Sequence, residues 1–566
     1  MHQYSPPQAP RRHVSRLIPG PLSPRVTRPL SVLVLIAWVV TMAVLVNRSY
    51  LEASVNLATD LAHYGATAQW RGVYYRGAKI GFTVRQVVPL SEGYRFEEDG
   101  QLEMTLLGAT TAARIQTAVL VDDQFTLRSF EFSMDPGTGP VTVRGRLEGP
   151  FEESGTHDPW RLILDTTTGG NTRTETRAMS EPPLLAANLG RRLATTGLTP
   201  GARHEWMLFD PATLSNVPVV LNVGQREIVR VGTTRMPAFR VDMAFVGLRT
   251  TSWVTDTGEV VREESPLGIL TVRETADRAT SMAVPGRVQT DLLEAAAVVP
   301  DIAPGLLRID DPRGVRRMRV RLDGADDLSR TELVGAGQTF DGDVIEVTRP
   351  ETPELGPVDP EAWRYLSPEP LIESDDPAIV AEADRAVGTL VGVWERAEAL
   401  TRYVNGLLDK KPTVGIPSAS EVLRTKIGDC NEHTALYVAM ARAVGIPTRI
   451  AVGLVYMQGA FYYHAWSEVY LEEDGAAVWL PVDPTLNQFP ADGTHLRLAS
   501  GGLDRQAAIL PLVGAVRMSM LDLELDEHST PVMMAAPPMA LENSAFPMPT
   551  LTRDTEGWCG CSEGAP

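Results

Sequence analysis

The chain has 566 residues, 43% apolar and 6% aromatic, enough for about three domains with real cores and too apolar for wholesale disorder. Its net charge is −19, and the first 28 residues hold five arginines and no acid, leaving 47 basic against 71 acidic groups beyond them. So acidic a body repels phosphate backbones, which argues against nucleic acid as a partner, and three cysteines cannot build a disulfide framework.

Residues 1–28, rich in Pro and Arg, predict a disordered cytoplasmic tail. Leu30 to Val46 then runs 17 residues without a charge, bounded by Arg28 and Arg48. That is the lower limit for crossing hydrocarbon, and a transmembrane helix is expected over 29–47. The alternative is a cleaved signal peptide, whose apolar run is shorter and ends in small residues; Leu51-Glu-Ala-Ser54 fits that pattern poorly. The arginines before the span put the N-terminus in the cytoplasm and the rest outside it. Leu51, Val55, Ala58, Leu61 and Ala62 have helical spacing, so 48–69 reads as a helical stalk.

From Trp70 the texture changes to short alternating runs broken by Gly, Pro and Asp, such as Ser129 to Phe132, Val141 to Arg144 and Val217 to Val223. Trp253 to Arg262 reads as a hairpin turning at Asp256-Thr-Gly258. These predict a β-rich domain over 70–300 and a smaller β unit over 301–349. Residues 350–370 hold six prolines and several acids and read as a linker. Ala378 to Leu408 is helical by pattern, opening a domain over 371–525. Residues 526–566 are rich in Pro, Met and Ala and read as a flexible tail, not a methionine metal box. Cys559 and Cys561 lie there as a C-x-C pair, too close for easy disulfide geometry.

The third thiol, Cys430, stands in Gly428-Asp-Cys430, just before a periodic run that Gly445 and Pro447 end. It therefore falls in the first turn of a half-buried helix, where free N–H groups and the helix dipole favour a thiolate. Asp429 is the expected cap. Thr448 to Val455, Phe461 to Leu471 and Ala477 to Val482 read as strands, the last two turning at Asp474-Gly475. With a two-residue loop there, Trp466 faces Asp483, which becomes a diagonal neighbour of His464 on one side of the sheet. A slip of one residue would separate them. A thiol, an imidazole and a carboxylate so arranged are the parts of a nucleophilic site. His433, a turn after Cys430, would complete a zinc set, but closed zinc sites draw on tighter Cys/His pairs, so no metal is expected.

The runs Gly428-Asp-Cys-Asn-Glu-His433, Arg442-Ala-Val-Gly-Ile-Pro-Thr-Arg449, Tyr463-His-Ala-Trp-Ser-Glu468 and Pro481-Val-Asp-Pro-Thr485 resemble the transglutaminase-like superfamily, of papain-like cysteine fold, in that family's order. The resemblance covers about 375–500. It implies an α+β core, with a Cys-bearing helix packed on an antiparallel sheet, here preceded by the β-rich domain and one N-terminal transmembrane helix. It further implies Cys430 as nucleophile, His464 as its base and acid, Asp483 as orienting carboxylate, no cofactor, and a protein or peptide substrate. Trp70 to Gly81 and the Trp253 hairpin look like N-terminal regions of bacterial envelope relatives; with the span at 29–47 and its arginines, the expectation is a single-pass protein of a bacterial inner membrane with a periplasmic catalytic domain. Water as acceptor gives a peptidase or deamidase, and a lysine amine gives a cross-link; the sequence favours neither. The oxyanion donor expected is the Cys430 backbone N–H, its companion being unassigned. The competing expectation is an envelope-anchored scaffold with an inactive cysteine domain.

Overall fold

The computed structural model describes residues 64–65 and 67–526, apart from 107–108, 152–158, 246–247, 283–290, 304–308, 325–331, 350–353, 414, 503–508 and 510–511. Among these residues no helix is long and apolar enough to cross a membrane. The expected tail at 1–28, span at 29–47, most of the stalk, and the C-terminal tail with Cys559 and Cys561 lie outside them.

The N-terminal region is a large antiparallel sheet. Eight strands, from Gln69–Tyr75 to Asn171–Met179, follow one another as a meander, and six more run from Arg203–Asp210 to Ile269–Glu274. Gln69–Tyr75 pairs with Ile269–Glu274 and joins the two runs. Each hairpin is local, so short alternating sequences suffice to build it. The expected hairpin at Trp253 forms, with Gly258 at its turn. The helix Ala186–Thr196 crosses this turn so closely that a Cβ on Gly190 or Gly258 would lie 2.4 Å from the other's carbonyl oxygen.

The second part is built from helices α1 (Pro377–Val387), α2 (Val393–Leu407), α3 (Ala419–Thr425) and α4 (Cys430–Ala443), and strands β1 (Thr448–Met457), β2 (Ala460–Glu473), β3 (Ala476–Val482) and β4 (Leu496–Gly501). The sheet order is β3-β2-β1-β4, all antiparallel. The helical pattern over 378–408 breaks at Gly388, whose positive φ ends α1, and resumes after Gly392. Helix α4 is not half-buried, as its periodicity suggests, but enclosed from Glu432 to Arg442. The other helices wrap it on one side and the sheet covers it on the other.

Two boundaries differ from the sequence reading. The strand Arg517–Leu525, read as the end of the cysteine domain, pairs with Val315–Asp323 in a five-stranded sheet that also holds Asp301–Ile302, Gln338–Asp341 and Val344–Thr348. Met318, Val320, Met518 and Met520 join the same core as α4 and β2. The described part of 350–370 is no free linker either. Ala362 and Tyr365 are buried, Tyr365 meets Trp479 edge-on, and Trp479 Nε1 donates to Asp359 Oδ2 at 3.1 Å. Counting prolines missed the aromatic residues that anchor this segment to β2 and β3. Tips of the large sheet also reach α3 and the loop before α1: Arg424 donates to Thr138 O at 2.9 Å, and Arg173 pairs with Asp375 at 2.8 Å.

Two glycines test the packing. Gly453 faces His464 across β1 and β2, and a Cβ there would stand 2.0 Å from Leu496 O. Gly406 in α2 has nothing within 4 Å of that position. Gly453→Ala is expected to lose about 3 kcal/mol in urea unfolding, whereas Gly406→Ala gains about 0.5–1 kcal/mol from helix propensity.

Candidate active site

The nucleophile end is set by hydrogen bonds around the start of α4. Asp429 caps the helix: its Oδ1 accepts from Asn431 N–H at 3.0 Å, and Glu432 Oε2 accepts from Asp429 N–H at 2.9 Å. This capping box needs Gly428, where a Cβ would stand 2.2 Å from Glu432 Cβ. A short parallel bridge between Asp409–Lys410 and Ile427–Gly428 fixes the approach.

Cys430, the first helical residue, is half-buried against the main core. The Ala465 backbone N–H, next to His464 on β2, bonds to its sulfur. Burial pushes the thiol well up, the Asp429 carboxylate adds to this, and Glu432 and Asp483 do so more weakly, against the Ala465 amide. These charges and the burial work against the free N–H groups of the helix start, which favour a thiolate.

The imidazole and carboxylate meet as the register requires. Glu473 pairs with Ala476, and the ladder runs to Ser467 opposite Val482, which is the register a two-residue turn dictates. Asp483, one residue past the ladder, exchanges backbone hydrogen bonds with Gln488 at 2.9 Å. Its Oδ1 accepts from the N–H groups of Thr485 and Leu486 at 2.7 and 2.9 Å. Its Oδ2 lies 2.7 Å from His464 Nε2. That bond leaves Nδ1 as the ring's second proton site. Burial would raise the Asp483 carboxyl, but His464 and then His495 hold it far below the usual carboxylate range. Trp466 lies nearly parallel to His464, their ring centres 6.2 Å apart.

Sequence reasoning missed His495 and Asp492. His495 Nε2 also reaches Asp483 Oδ2, at 3.1 Å, and its Nδ1 lies 3.1 Å from Asp492 Oδ1. Both residues follow an irregular loop, where no periodicity signals which side chains turn inward. His433 is buried with Nδ1 2.7 Å from Asp429 O, tied to its own helix start. It does not join the other candidates. Among the described residues the His/Asp group that converges is His464, Asp483 and His495. The 2.7 Å between His464 Nε2 and Asp483 Oδ2 is a hydrogen bond; two ligands on a tetrahedral zinc with bonds of about 2.0–2.1 Å stand roughly 3.3 Å apart.

Residues 381–484, which contain Cys430, His464 and Asp483, match the model of the Transglutaminase-like superfamily. This part of the chain is thus transglutaminase-like, a fold of the general cysteine-enzyme type. Among solved structures, a beta-barrel-like protein of the domain of unknown function DUF1849 from Brucella abortus is 13% identical, covering 37% of this chain and 97% of its own, with a TM-score of 0.29. A candidate cysteine protease from Cytophaga hutchinsonii is 16% identical over 39% of this chain and 91% of its own, TM-score 0.25. The periplasmic domain of TgpA from Pseudomonas aeruginosa, bound to ethylmercury, is 19% identical over 31% and 92%, TM-score 0.20. Likenesses of this size carry no argument about chemistry. The comparison with curated proteins gave no match.

Glu432 provides a test of the capping arrangement. Burial, and then the charge of Asp429, push its carboxyl up from 4.5 to about 8. The unfolded chain gives up this proton near its ordinary value, the folded chain only near 8. The group's contribution to stability is therefore complete below about pH 4.5 and lost as pH rises to about 8. Glu432→Gln keeps an acceptor for Asp429 N–H but cannot ionise. Its urea midpoint should match wild type near the acid end and exceed it near the alkaline end; a constant offset at both ends would contradict this.

Proposed function

We propose that this protein is a membrane-anchored, extracytoplasmic cysteine enzyme that acts on amide bonds of proteins or peptides through a thioester. The observation that carries the reading is the bond from His464 Nε2 to Asp483 Oδ2, made on the strand whose Ala465 amide touches the Cys430 sulfur. Asp483 fixes the tautomer: with Nε2–H donated to it, Nδ1 is free to take a proton.

The reaction then runs as follows. The Cys430 thiol passes its proton to His464 Nδ1 as the sulfur bonds to the substrate carbonyl carbon. The carbonyl oxygen becomes an oxyanion, met by the Cys430 N–H. When the intermediate collapses, the C–N bond breaks and the imidazolium returns its proton to the departing amine or ammonia. Water or a second amine then attacks the thioester carbonyl, His464 Nδ1 taking its proton, and as the C–S bond breaks that proton passes to the Cys430 sulfur and restores the thiol. Water makes the protein a peptidase or deamidase, and a lysine amine makes it a transamidase.

The anchor is proposed from the uncharged run at 29–47, and the flanking arginines support a cysteine domain on the periplasmic side of a bacterial inner membrane. The partners are the lipid bilayer and a protein or peptide substrate.

Wild-type protein should label on Cys430 with a thiol-directed acyl probe, and Cys430→Ala not at all. His464→Ala should label about 100- to 10,000-fold more slowly, and Asp483→Ala at least about tenfold more slowly. Labelling indifferent to His464 would favour the scaffold reading. In envelope extracts, ammonia release would mark deamidation or transamidation, and new peptide termini proteolysis.

A further inference from the structure

We propose that His495, backed by Asp492, is a positioning residue: it grips Asp483 on the oxygen that His464 uses, and its charge keeps His464 free to accept the Cys430 proton. This rests on the thiol-enzyme reading above and adds a residue that lies beyond the matched segment 381–484.

Asp483 is completely buried, and each of its oxygens has two donors: Thr485 and Leu486 N–H on Oδ1, His464 and His495 Nε2 on Oδ2. His495 in turn has a carboxylate at each ring nitrogen, Asp483 at 3.1 Å and Asp492 at 3.1 Å. A ring that gives a hydrogen to acceptors on both sides carries both protons and is a cation. Asp492 is itself fixed, by Gln488 Nε2 at 2.7 Å and by Thr494 N–H and Oγ1 at 2.9 and 2.6 Å. The groups facing His495 are these two carboxylates, the His464 ring at 6.1 Å and the Trp466 ring edge-on at 5.2 Å. Burial alone would lower the His495 proton affinity, but Asp492 and Asp483 push it up to about 10.

The consequence concerns His464. A buried carboxylate with one imidazole favours the imidazolium, and an imidazolium is useless as a base. A thiol raised by its surroundings has to hand its proton on, so the reaction needs a neutral His464 to begin. A second cation on the same Asp483 oxygen offsets the carboxylate charge and repels a proton from His464 across 6.1 Å. Asp483 can then orient the ring without trapping it in the charged form.

The test is the pH profile of Cys430 alkylation by iodoacetamide in the full chain, read on the Cys430 peptide so that Cys559 and Cys561 do not contribute. Wild type, His464→Ala and His495→Gln are compared between about pH 5 and about pH 10. The lower limb, where His464 loses its proton, should move up by about one unit in His495→Gln. That is about a tenfold slower reaction at any pH on the limb. A merely structural role would lower the rate at every pH and leave the limb in place, which would overturn the proposal. Identical profiles for wild type and His464→Ala would overturn the thiol-enzyme reading and this proposal with it. If His495→Gln does not fold, the imidazoles of Cys430→Ala protein, which has no thiolate to hold a proton on His464, can be followed by NMR. One of the chain's nine histidines should stay doubly protonated at about pH 8.5, well above the ordinary value, and its signal should persist in Cys430→Ala/His464→Ala protein; no such signal, or one that disappears with His464, would overturn the proposal.

Discussion

The hydrogen bond between His464 and Asp483 depends on a count of residues. The two side chains come from neighbouring strands and meet only because the turn at Asp474 and Gly475 contains two residues and no bulge interrupts the ladder to Ser467 and Val482. One residue more or less would turn Asp483 to the other face of the sheet. The rest of the site is arranged around this point. Helix α4 brings Cys430 to the same strand, and the loop after β3 folds back through Gln488 to close over the carboxylate.

The sheet that carries this bond is unusually polar on one side. Along β2 the alternate residues His464, Trp466 and Glu468 point together. Burial would raise the Glu468 carboxyl, but Arg497 at 2.8 Å and Arg449 at 2.7 Å hold it below its usual range. Arg497 is itself fastened to the backbone of Glu332 and Val334. Such pairs add little net stability, because desolvation cancels most of the attraction, yet removing one partner is costly. Their effect is to define one arrangement of β1, β2 and β4. The His464, Asp483 and His495 group continues the same row.

Much of this was legible in the sequence, for identifiable reasons. A two-residue turn fixes register, so the approach of Asp483 to His464 followed from counting. Asp429 before a periodic run signalled the cap. The hairpins of the N-terminal region followed from short alternation and turn residues. What was not legible depends on contacts distant in the chain. Helix α4 is enclosed on every side by elements whose position no local pattern gives, so its stripe understated its burial. Burial and three nearby carboxylates raise the Cys430 thiol, against the helix start that the sequence alone shows. His495 and Arg517–Leu525 take partners far from their places in the chain, and a segment read as a linker is held by Tyr365 and Trp479.

The central claim is that Cys430 takes up an acyl group with His464 as its base. Its most direct measurement is mass spectrometry of an acid-quenched reaction of the full chain with a nitrophenyl acetate ester, mapping the acyl group to a peptide. The account predicts a thioester on Cys430 that forms quickly in wild type, turns over, and is nearly lost when His464 is replaced. Acylation that avoids Cys430, or that proceeds at the same rate without the imidazole, would contradict it.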